Sequence, residues 1–241
     1  DTRFGTVPVR LFRPKEVSSK PRRGIIFYHG GGAVCGSLGK EPPCVFSFCK
    51  QACCVCSFFL RYRKLPKHHH PAALNDCLSA TILFLKALET YGVDPSRVVL
   101  CGDSFGGWVV ASISQTLVST PSLPQIRAQV LIYPILQVIN FLLPSLQQNK
   151  NIPLLSKDLL IIFVCNYLAI DLSWGDSMLT EISPIIADDK TIAQLPEAFL
   201  VSCEYDIVRD DTLLYKKRLE DQGVPVTWHH VMDGFHGCVL L

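Results

Sequence analysis

The sequence lacks a clear excess of charge of either sign. Its 241 residues include 23 Lys and Arg against 21 Asp and Glu, a formal net charge of +2 at pH 7. Because a surface that binds nucleic acid normally concentrates positive charge, we expect no nucleic-acid partner. Hydrophobic residues make up 49% of the chain and charged residues 18%, a balance that excludes disorder or a coiled coil as a description of the whole.

Long apolar runs and targeting signals are also missing. No run approaches the roughly 20 apolar residues that cross a bilayer. The N-terminus shows no charged segment followed by an apolar one, so no signal peptide is visible. No Asn-x-Ser/Thr acceptor site for glycosylation occurs. The mean hydropathy is nevertheless +0.27, a high apolar content for a chain that stays in water.

The number of cysteines in the sequence is odd. There are 11 of them, so they cannot all pair within one chain. Most lie in apolar runs, as Cys101 and Cys203 do, and a buried free cysteine behaves as a small hydrophobe. We therefore expect mainly reduced, structural thiols rather than a disulfide framework.

A cluster of cysteines followed by three histidines is the candidate for a metal site; it comprises Cys44, Cys49, Cys53, Cys54, Cys56 and His68–His70. The cluster contains no pair of CxxC units, and its cysteines fall in a strand-like run, so the spacing does not fit zinc templates. We expect neither a metal nor an organic cofactor. A thiol-based zinc site remains an alternative, which bound zinc after purification would reveal.

Short apolar runs alternate with helical patterns, as in proteins with a mainly parallel sheet. The predicted strands are residues 8–14 (an edge strand), 24–28, 53–59, 98–101, 128–133, 198–203 and 224–231. The predicted helices are residues 72–91, 108–117 and 210–222. Residues 135–182 break the alternation and are interpreted as an insertion over the sheet. Without an internal repeat or a linker, residues 1–241 are predicted to be a single α/β domain.

The segment Gly102-Asp103-Ser104-Phe105-Gly106-Gly107 joins a predicted strand to a predicted helix. This is the context that a Gly-x-Ser-x-Gly nucleophile elbow requires. Glycine on both sides lets a tight turn present the Ser104 hydroxyl at the edge of the sheet. The helix N-terminus that follows would direct its N–H groups at a developing oxyanion. Ser104 is thus the candidate nucleophile, and a plain glycine-rich turn is the alternative.

A second glycine-rich segment, His29-Gly30-Gly31-Gly32, follows the predicted strand 24–28. Consecutive glycines weaken regular structure and are typical of places where the backbone approaches another group closely. We expect Gly30, Gly31 and Gly32 to present N–H donors to an oxyanion, together with the N–H of Phe105. His29 is expected to anchor this loop by hydrogen bonding.

A serine nucleophile needs a base, and the base needs an acceptor on its other nitrogen. Asp206 and His236 each follow a predicted strand, and the order Ser, Asp, His is that of α/β-hydrolases. Parallel strands bring these loops to one edge of the sheet. Glu204 is the alternative acid. The other candidates are expected to be structural: Asp210 and Asp211, which would cap a helix, His229 and His230 within a strand, and His68–His70 on a different loop.

Six motifs in this order resemble the hormone-sensitive-lipase branch of the α/β-hydrolases, and within it the arylacetamide deacetylase-like proteins, among them the arylacetamide deacetylase-like 4 group. The motifs are His29–Gly32; Tyr62–Pro66 with His69, Pro71 and Ala72; Gly102–Gly107; Tyr133-Pro134; Glu204–Asp206 with Asp210; and Gly234–Gly237. The resemblance implies an α/β-hydrolase fold, a mostly parallel sheet with helices on both faces.

The same resemblance implies a carboxylic ester hydrolase with Ser104, Asp206 and His236 as its triad. The substrate would be a small lipophilic ester or arylacetamide, held in an apolar pocket formed by residues 135–182. Relatives carry an N-terminal membrane anchor, which this sequence does not show, and face the lumen of the endoplasmic reticulum. Membrane association is therefore expected from the family.

The sequence departs from the family pattern in three ways. Between Trp174 and Ser183 it is much shorter than the family's cap, so residues 135–182 are interpreted as a shortened helical cap. It stops five residues after His236, so the family's final helix is expected to be missing. Phe105 replaces a usually small residue and is expected to narrow the pocket. A catalytically impaired hydrolase fold that acts as a binding module is therefore the alternative function.

Overall fold

The structure, a computed structural model, describes residues 2–12, 19–36, 56–169 and 181–240. Its centre is an eight-stranded sheet with the order β1-β2-β4-β3-β5-β6-β7-β8. The strands are β1 (Thr2–Phe4), β2 (Val7–Phe12), β3 (Arg22–Tyr28), β4 (Cys56–Leu60), β5 (Val93–Asp103), β6 (Ala128–Ile132), β7 (Glu197–Tyr205) and β8 (Val226–Phe235). Strands β1 and β2 are antiparallel to their neighbours, and the pairs from β4 to β8 are parallel.

Six α-helices are found in the described ranges: α1 (Ala72–Lys86), α2 (Phe105–Val118), α3 (Pro144–Gln148), α4 (Lys157–Leu168), α5 (Asp189–Ile192) and α6 (Arg209–Asp221). Three short 3₁₀ turns cover Glu89–Tyr91, Pro184–Ile186 and Cys238–Leu240. A mostly parallel sheet with packed helices is the predicted α/β-hydrolase architecture. None of the helices in the described ranges has the length and apolar character needed to span a bilayer.

All seven predicted strands and all three predicted helices are present, with shifted ends. The predicted strand 8–14 is not an edge strand, because β2 lies between β1 and β4. Strand β1 was not predicted; a two-residue turn with Gly5 at φ +60 joins it to β2. Residues 13–14 and 53–55, at the ends of two predicted strands, fall outside the described residues.

Strand β3 is buried on both faces, as a parallel strand between packed layers is. Every residue of β3 from Gly24 to Tyr28 is buried. Their apolar side chains pack with α1 and α2 into the main core.

Residues 135–182, predicted to form an insertion, contain α3 and α4; residues 170–180 of this region lie outside the described part. A second, smaller cluster joins these helices to the segment after β7 and contains Leu146, Leu155, Leu160, Ile207 and Val208. This cluster fixes the insertion next to the carboxyl end of β7, where Asp206 lies.

Candidate active site

Ser104 occupies a strained turn between β5 and α2. Its φ is 53° and its ψ is −119°, in a region that non-glycine residues rarely adopt. A Cβ on Gly102 would overlap the carbonyl oxygen of Gly106, and a Cβ on Gly106 would overlap that of Tyr28. The turn therefore closes only with glycine at both positions, as the elbow motif predicts.

The three predicted triad side chains form one hydrogen-bonded chain. His236 Nε2 lies 2.8 Å from Ser104 Oγ, and His236 Nδ1 lies 2.8 Å from Asp206 Oδ2. Asp206 is fully buried, and its Oδ1 accepts the Val208 N–H at 3.0 Å. Serine, imidazole and carboxylate are thus arranged for transfer of the serine proton to a base whose ring is oriented by an acid.

Two neighbours hold this chain in place: Asn149, which the sequence analysis did not single out, and Tyr133 of the Tyr133-Pro134 motif. Asn149 Nδ2 donates to the carbonyl oxygens of Glu204 and Asp206, each at 3.1 Å. The ring of Tyr133 packs against that of His236, with centroids 4.9 Å apart. Asn149 lies just after α3, so no local pattern in the sequence connects it with β7.

The glycine loop after β3 lies against the elbow and supplies fewer donors than predicted. The N–H of Gly30 donates to Asp103 Oδ1 at 2.8 Å, so it does not face an oxyanion. This corrects the prediction for Gly30. Gly31 and Gly32 have φ values of +98° and +61°, and their N–H groups have no hydrogen-bond acceptor within the described ranges. They and the Phe105 N–H are the remaining candidate donors.

His29 anchors the loop, as expected, and does so as a neutral ring. Burial lowers the pKa of His29 to about 4. Its Nδ1 lies 2.8 Å from the Gly30 carbonyl oxygen, its ring stacks on Tyr62 at 4.5 Å, and the Tyr62 hydroxyl donates to its backbone oxygen at 2.8 Å. The role of Tyr62 could not be read from the spacing, because the two residues are 33 positions apart.

Asp103 is the residue of the elbow whose pKa is shifted by its surroundings. Burial raises the pKa of Asp103 to about 6, and the Gly30 N–H and the nearby His236 oppose this rise. Through the hydrogen bond that it accepts from the Gly30 N–H, the buried carboxyl group links the glycine loop to the nucleophile turn.

The alternative acid, Glu204, does not contact His236. Its Oε2 lies 2.9 Å from His230 Nε2, and its Oε1 accepts a hydrogen bond from Arg209 at 3.0 Å. His230 Nδ1 in turn lies 2.8 Å from the buried Ser202 Oγ. Glu204 thus belongs to a separate network on β7 and β8.

Asp210 and Asp211 are structural, but not as helix caps. Helix α6 begins after Val208 without a side-chain cap. Asp210 accepts the Ser145 N–H at 2.8 Å, and the buried Asp211 accepts the Leu136 N–H at 3.0 Å. Burial raises the pKa of Asp211 to about 7. Both carboxylates fasten the 135–182 insertion to α6.

In the described part of the chain, two histidines of the candidate metal cluster have partners outside that cluster. His69 Nδ1 lies 2.7 Å from the Asn166 carbonyl oxygen, and His70 lies 3.3 Å from Glu181. His229, a rival candidate for the base and not for a metal ligand, is exposed on β8. Among the described residues, no group of three or more His, Cys, Asp or Glu could hold a metal ion. Most of the cysteine cluster lies outside the described residues: Cys44, Cys49, Cys53 and Cys54.

An apolar cavity opens beside the elbow. Phe105 stacks on Trp108 with centroids 5.2 Å apart, and Tyr167 meets Phe105 edge-on at 5.1 Å. Phe105 thus lines the cavity, and α4 supplies part of its wall, as the interpretation of the insertion predicted. The full lining is Gly32, Phe105, Trp108, Ile135, Val138, Leu160, Phe163, Val164, Tyr167, Leu168 and Ile182, none of which is charged.

Known proteins share both sequence and fold with this chain. Residues 25–240 match a family described as alpha/beta hydrolase fold. The chain is similar to arylacetamide deacetylase-like 4 of Homo sapiens, at 52% identity over 100% of this chain and 72% of that protein. It is also similar to arylacetamide deacetylase of Mus musculus, at 33% identity over 98% of this chain and 73% of that protein.

Solved structures of esterases share the fold of this chain. Carboxyl esterase 2 from the fungus Tuber melanosporum matches with a TM-score of 0.88 and 26% identity, over 97% of this chain and 75% of that one. The thermostable carboxylesterase EstE1, cloned from a metagenomic library, matches with a TM-score of 0.87 and 26% identity, over 97% of this chain and 76% of that one.

Proposed function

Since the chain belongs to the alpha/beta hydrolase fold family and to its arylacetamide deacetylase-like members, we propose that it hydrolyses lipophilic carboxylic esters or arylacetamides by a serine mechanism. The observation that carries this proposal is the hydrogen-bonded chain from Ser104 through His236 to Asp206, next to an apolar cavity that Phe105 lines.

In the first step, Ser104 Oγ attacks the substrate carbonyl carbon while His236 Nε2 accepts the serine proton. Asp206 keeps the other imidazole nitrogen protonated and stabilises the imidazolium that forms. The N–H groups of Gly31, Gly32 and Phe105 bind the oxyanion, and each such donor contributes about 3 kcal/mol to lowering the barrier. His236 then protonates the leaving alcohol or amine, and an acyl-enzyme remains.

In the second step, His236 takes a proton from water as the water oxygen attacks the acyl carbon. The bond between the acyl carbon and Ser104 Oγ then breaks, His236 returns the proton to Oγ, and the acid leaves. None of the residues around the cavity is charged and most are aliphatic or aromatic, so the group that enters it is uncharged and apolar. Phe105, Trp108 and Tyr167 favour a flat or branched apolar group, because aromatic rings pack edge-on or offset against one another.

A fluorophosphonate probe tests the serine mechanism, because it phosphonylates a serine only when that serine is activated. We expect the wild type to be labelled and Ser104→Ala to lose the label. Ser202→Ala is a matched control, because Ser202 also lies 2.8 Å from a histidine nitrogen but outside the cavity; it should keep the label. Equal labelling of wild type and Ser104→Ala contradicts the mechanism. A folded, unlabelled wild type that is stabilised by ester analogues would support the binding-module alternative.

From the family resemblance alone, we also propose that the protein acts at the endoplasmic reticulum membrane on its lumenal side. A tagged protein expressed in cells should sediment with microsomes and resist added protease until detergent is present. Recovery in the protease-sensitive supernatant would contradict this proposal.

A further inference from the structure

Two thiols lie next to each other beside the triad. Cys203 Sγ and Cys238 Sγ are 3.7 Å apart. Cys203 is a fully buried residue of β7, and Cys238 opens the 3₁₀ turn after His236 and is partly exposed. The S–S bond of a disulfide is about 2.05 Å long, so an approach of less than 2 Å would join the two sulfur atoms.

The surroundings give the sulfur atoms room for that approach. A Cβ at Gly234 would lie 3.0 Å from Cys203 Sγ, so the absence of a side chain there leaves space for this thiol. Gly237, directly before Cys238, has a φ of +91°, and a Cβ there would meet nothing closer than 3.6 Å. The peptide that carries Cys238 can therefore shift at a glycine hinge without moving β8.

We propose that Cys203 and Cys238 are a redox modification site that oxidises to an intramolecular disulfide. The partly exposed Cys238 reacts first: its thiolate attacks one sulfur of a small-molecule disulfide, forming a mixed disulfide and releasing one thiolate. Cys203 then loses its proton to solvent and attacks Cys238 Sγ, which releases the second thiolate. Both protein sulfur atoms are oxidised, and one molecule of the small disulfide is reduced to two thiols.

The second step is the slow one at neutral pH. Burial raises the pKa of Cys203, and its contact with Cys238 and the charge of Asp206 add to this rise. Only the thiolate attacks a disulfide, so the reaction should accelerate as the pH rises.

The bond would close a ring that contains two members of the triad. The two cysteines are 35 positions apart, and both Asp206 and His236 lie between them. A cross-link of this span restricts the unfolded chain and ties the His236 loop to β7, and it should raise the melting temperature by about 5–10 °C.

Peptide mapping of the whole chain tests the proposal without using esterase activity, so its outcome is separate from that of the proposed function. The protein is reduced, then equilibrated at pH 8 with oxidised glutathione as the small-molecule disulfide. Trypsin cleaves after Lys190, Arg209 and Arg218, so Cys203 and Cys238 fall in separate peptides, residues 191–209 and 219–241, each with a single cysteine.

We expect one cross-linked species of these two peptides and a rise in the melting temperature; both should be lost in Cys238→Ala. Cys77→Ala, which removes another fully buried cysteine, should keep both. Recovery of the two peptides unlinked, as free thiols or glutathione adducts, would overturn the proposal. So would linkage of either peptide to a different cysteine.

Discussion

Asp103 offers a quantitative test of the electrostatics at the elbow. The structure raises the pKa of this buried carboxyl group from 3.8 to about 6. The folded chain therefore holds the proton more tightly than the unfolded chain, and stability is lost as the pH rises from about 4 to about 6. Each pKa unit corresponds to about 1.4 kcal/mol, so the ionised carboxylate lowers the free energy of unfolding by about 3 kcal/mol at pH 7.

Asp103→Asn removes the charge and keeps an oxygen that can accept the Gly30 N–H. We expect the variant to be more stable than the wild type at pH 7, by up to about 3 kcal/mol, and similar to it below pH 4. Urea unfolding of both proteins between pH 3.5 and pH 8 measures this difference. Asp94→Asn is the control, at a partly exposed carboxylate whose pKa the hydrogen bonds from Ser96 lower; it should show no such gain at neutral pH.

A pH-independent difference between wild type and Asp103→Asn would refute the reasoning, as would a wild type that is the more stable of the two at pH 7. Asp103→Ala separates the charge from the hydrogen bond. It leaves the buried Gly30 N–H without its acceptor, which costs about 1–3 kcal/mol. The alanine variant should therefore be less stable than the asparagine variant at every pH.

Two further predictions concern the proposed chemistry, and a third concerns the stability of the glycine loop. Asp206→Asn should lower kcat for a p-nitrophenyl ester by about 10⁴-fold with KM little changed, because the histidine loses the acceptor that sets its tautomer; a change below tenfold would contradict this. Phe163→Ala should shift kcat/KM about tenfold towards bulkier acyl groups, because the Phe163 ring packs on Gly32 in the cavity wall; an unchanged chain-length profile would contradict it. Tyr62→Phe removes the hydrogen bond to the His29 carbonyl oxygen and should lower the free energy of unfolding by about 1 kcal/mol in urea, and an unchanged midpoint would speak against that anchor.

The sheet was largely predictable because each parallel strand is a short apolar run between turn residues. The limits of this approach show at the start of β5. Asp94-Pro95-Ser96 has the composition of a turn, and Asp94 Oδ1 does accept the Ser96 N–H at 2.9 Å. Yet these residues belong to the strand, where the pairing register with β3 shifts between Arg22 and Gly24. A bulged strand with a turn-like hydrogen bond has the same residue pattern as a loop, so the sequence alone does not distinguish the two.

The predicted start of α2 was wrong because two glycines were assigned to the turn before it. Gly106 and Gly107 look like a continuation of the turn, so the helix was predicted to begin at Trp108. They lie inside α2 because each approaches a neighbour too closely for a side chain: Gly106 faces the Tyr28 carbonyl, and Gly107 faces Pro134. Glycine selected by close packing cannot be distinguished from glycine selected by a turn in one sequence.

The meeting of Ser104, His236 and Asp206 was predictable, because each of them follows a strand at one edge of a parallel sheet. The contacts that hold the site were not. Asp211 and Leu136 are 75 positions apart, and Asp103 and Gly30 are 73 apart. Local rules assign Asp211 to a helix cap and Gly30 to the oxyanion, and only tertiary proximity shows that both groups are already used.

The most direct test of the central claim is the identity of the residue that a fluorophosphonate modifies. Trypsin releases residues 98–127 as one peptide, which contains Ser104 and four other serines. Tandem mass spectrometry of the labelled protein should place the phosphonyl group on Ser104. Attachment to any other residue, or an unmodified Ser104 in folded protein, would contradict the assignment of Ser104 as the nucleophile.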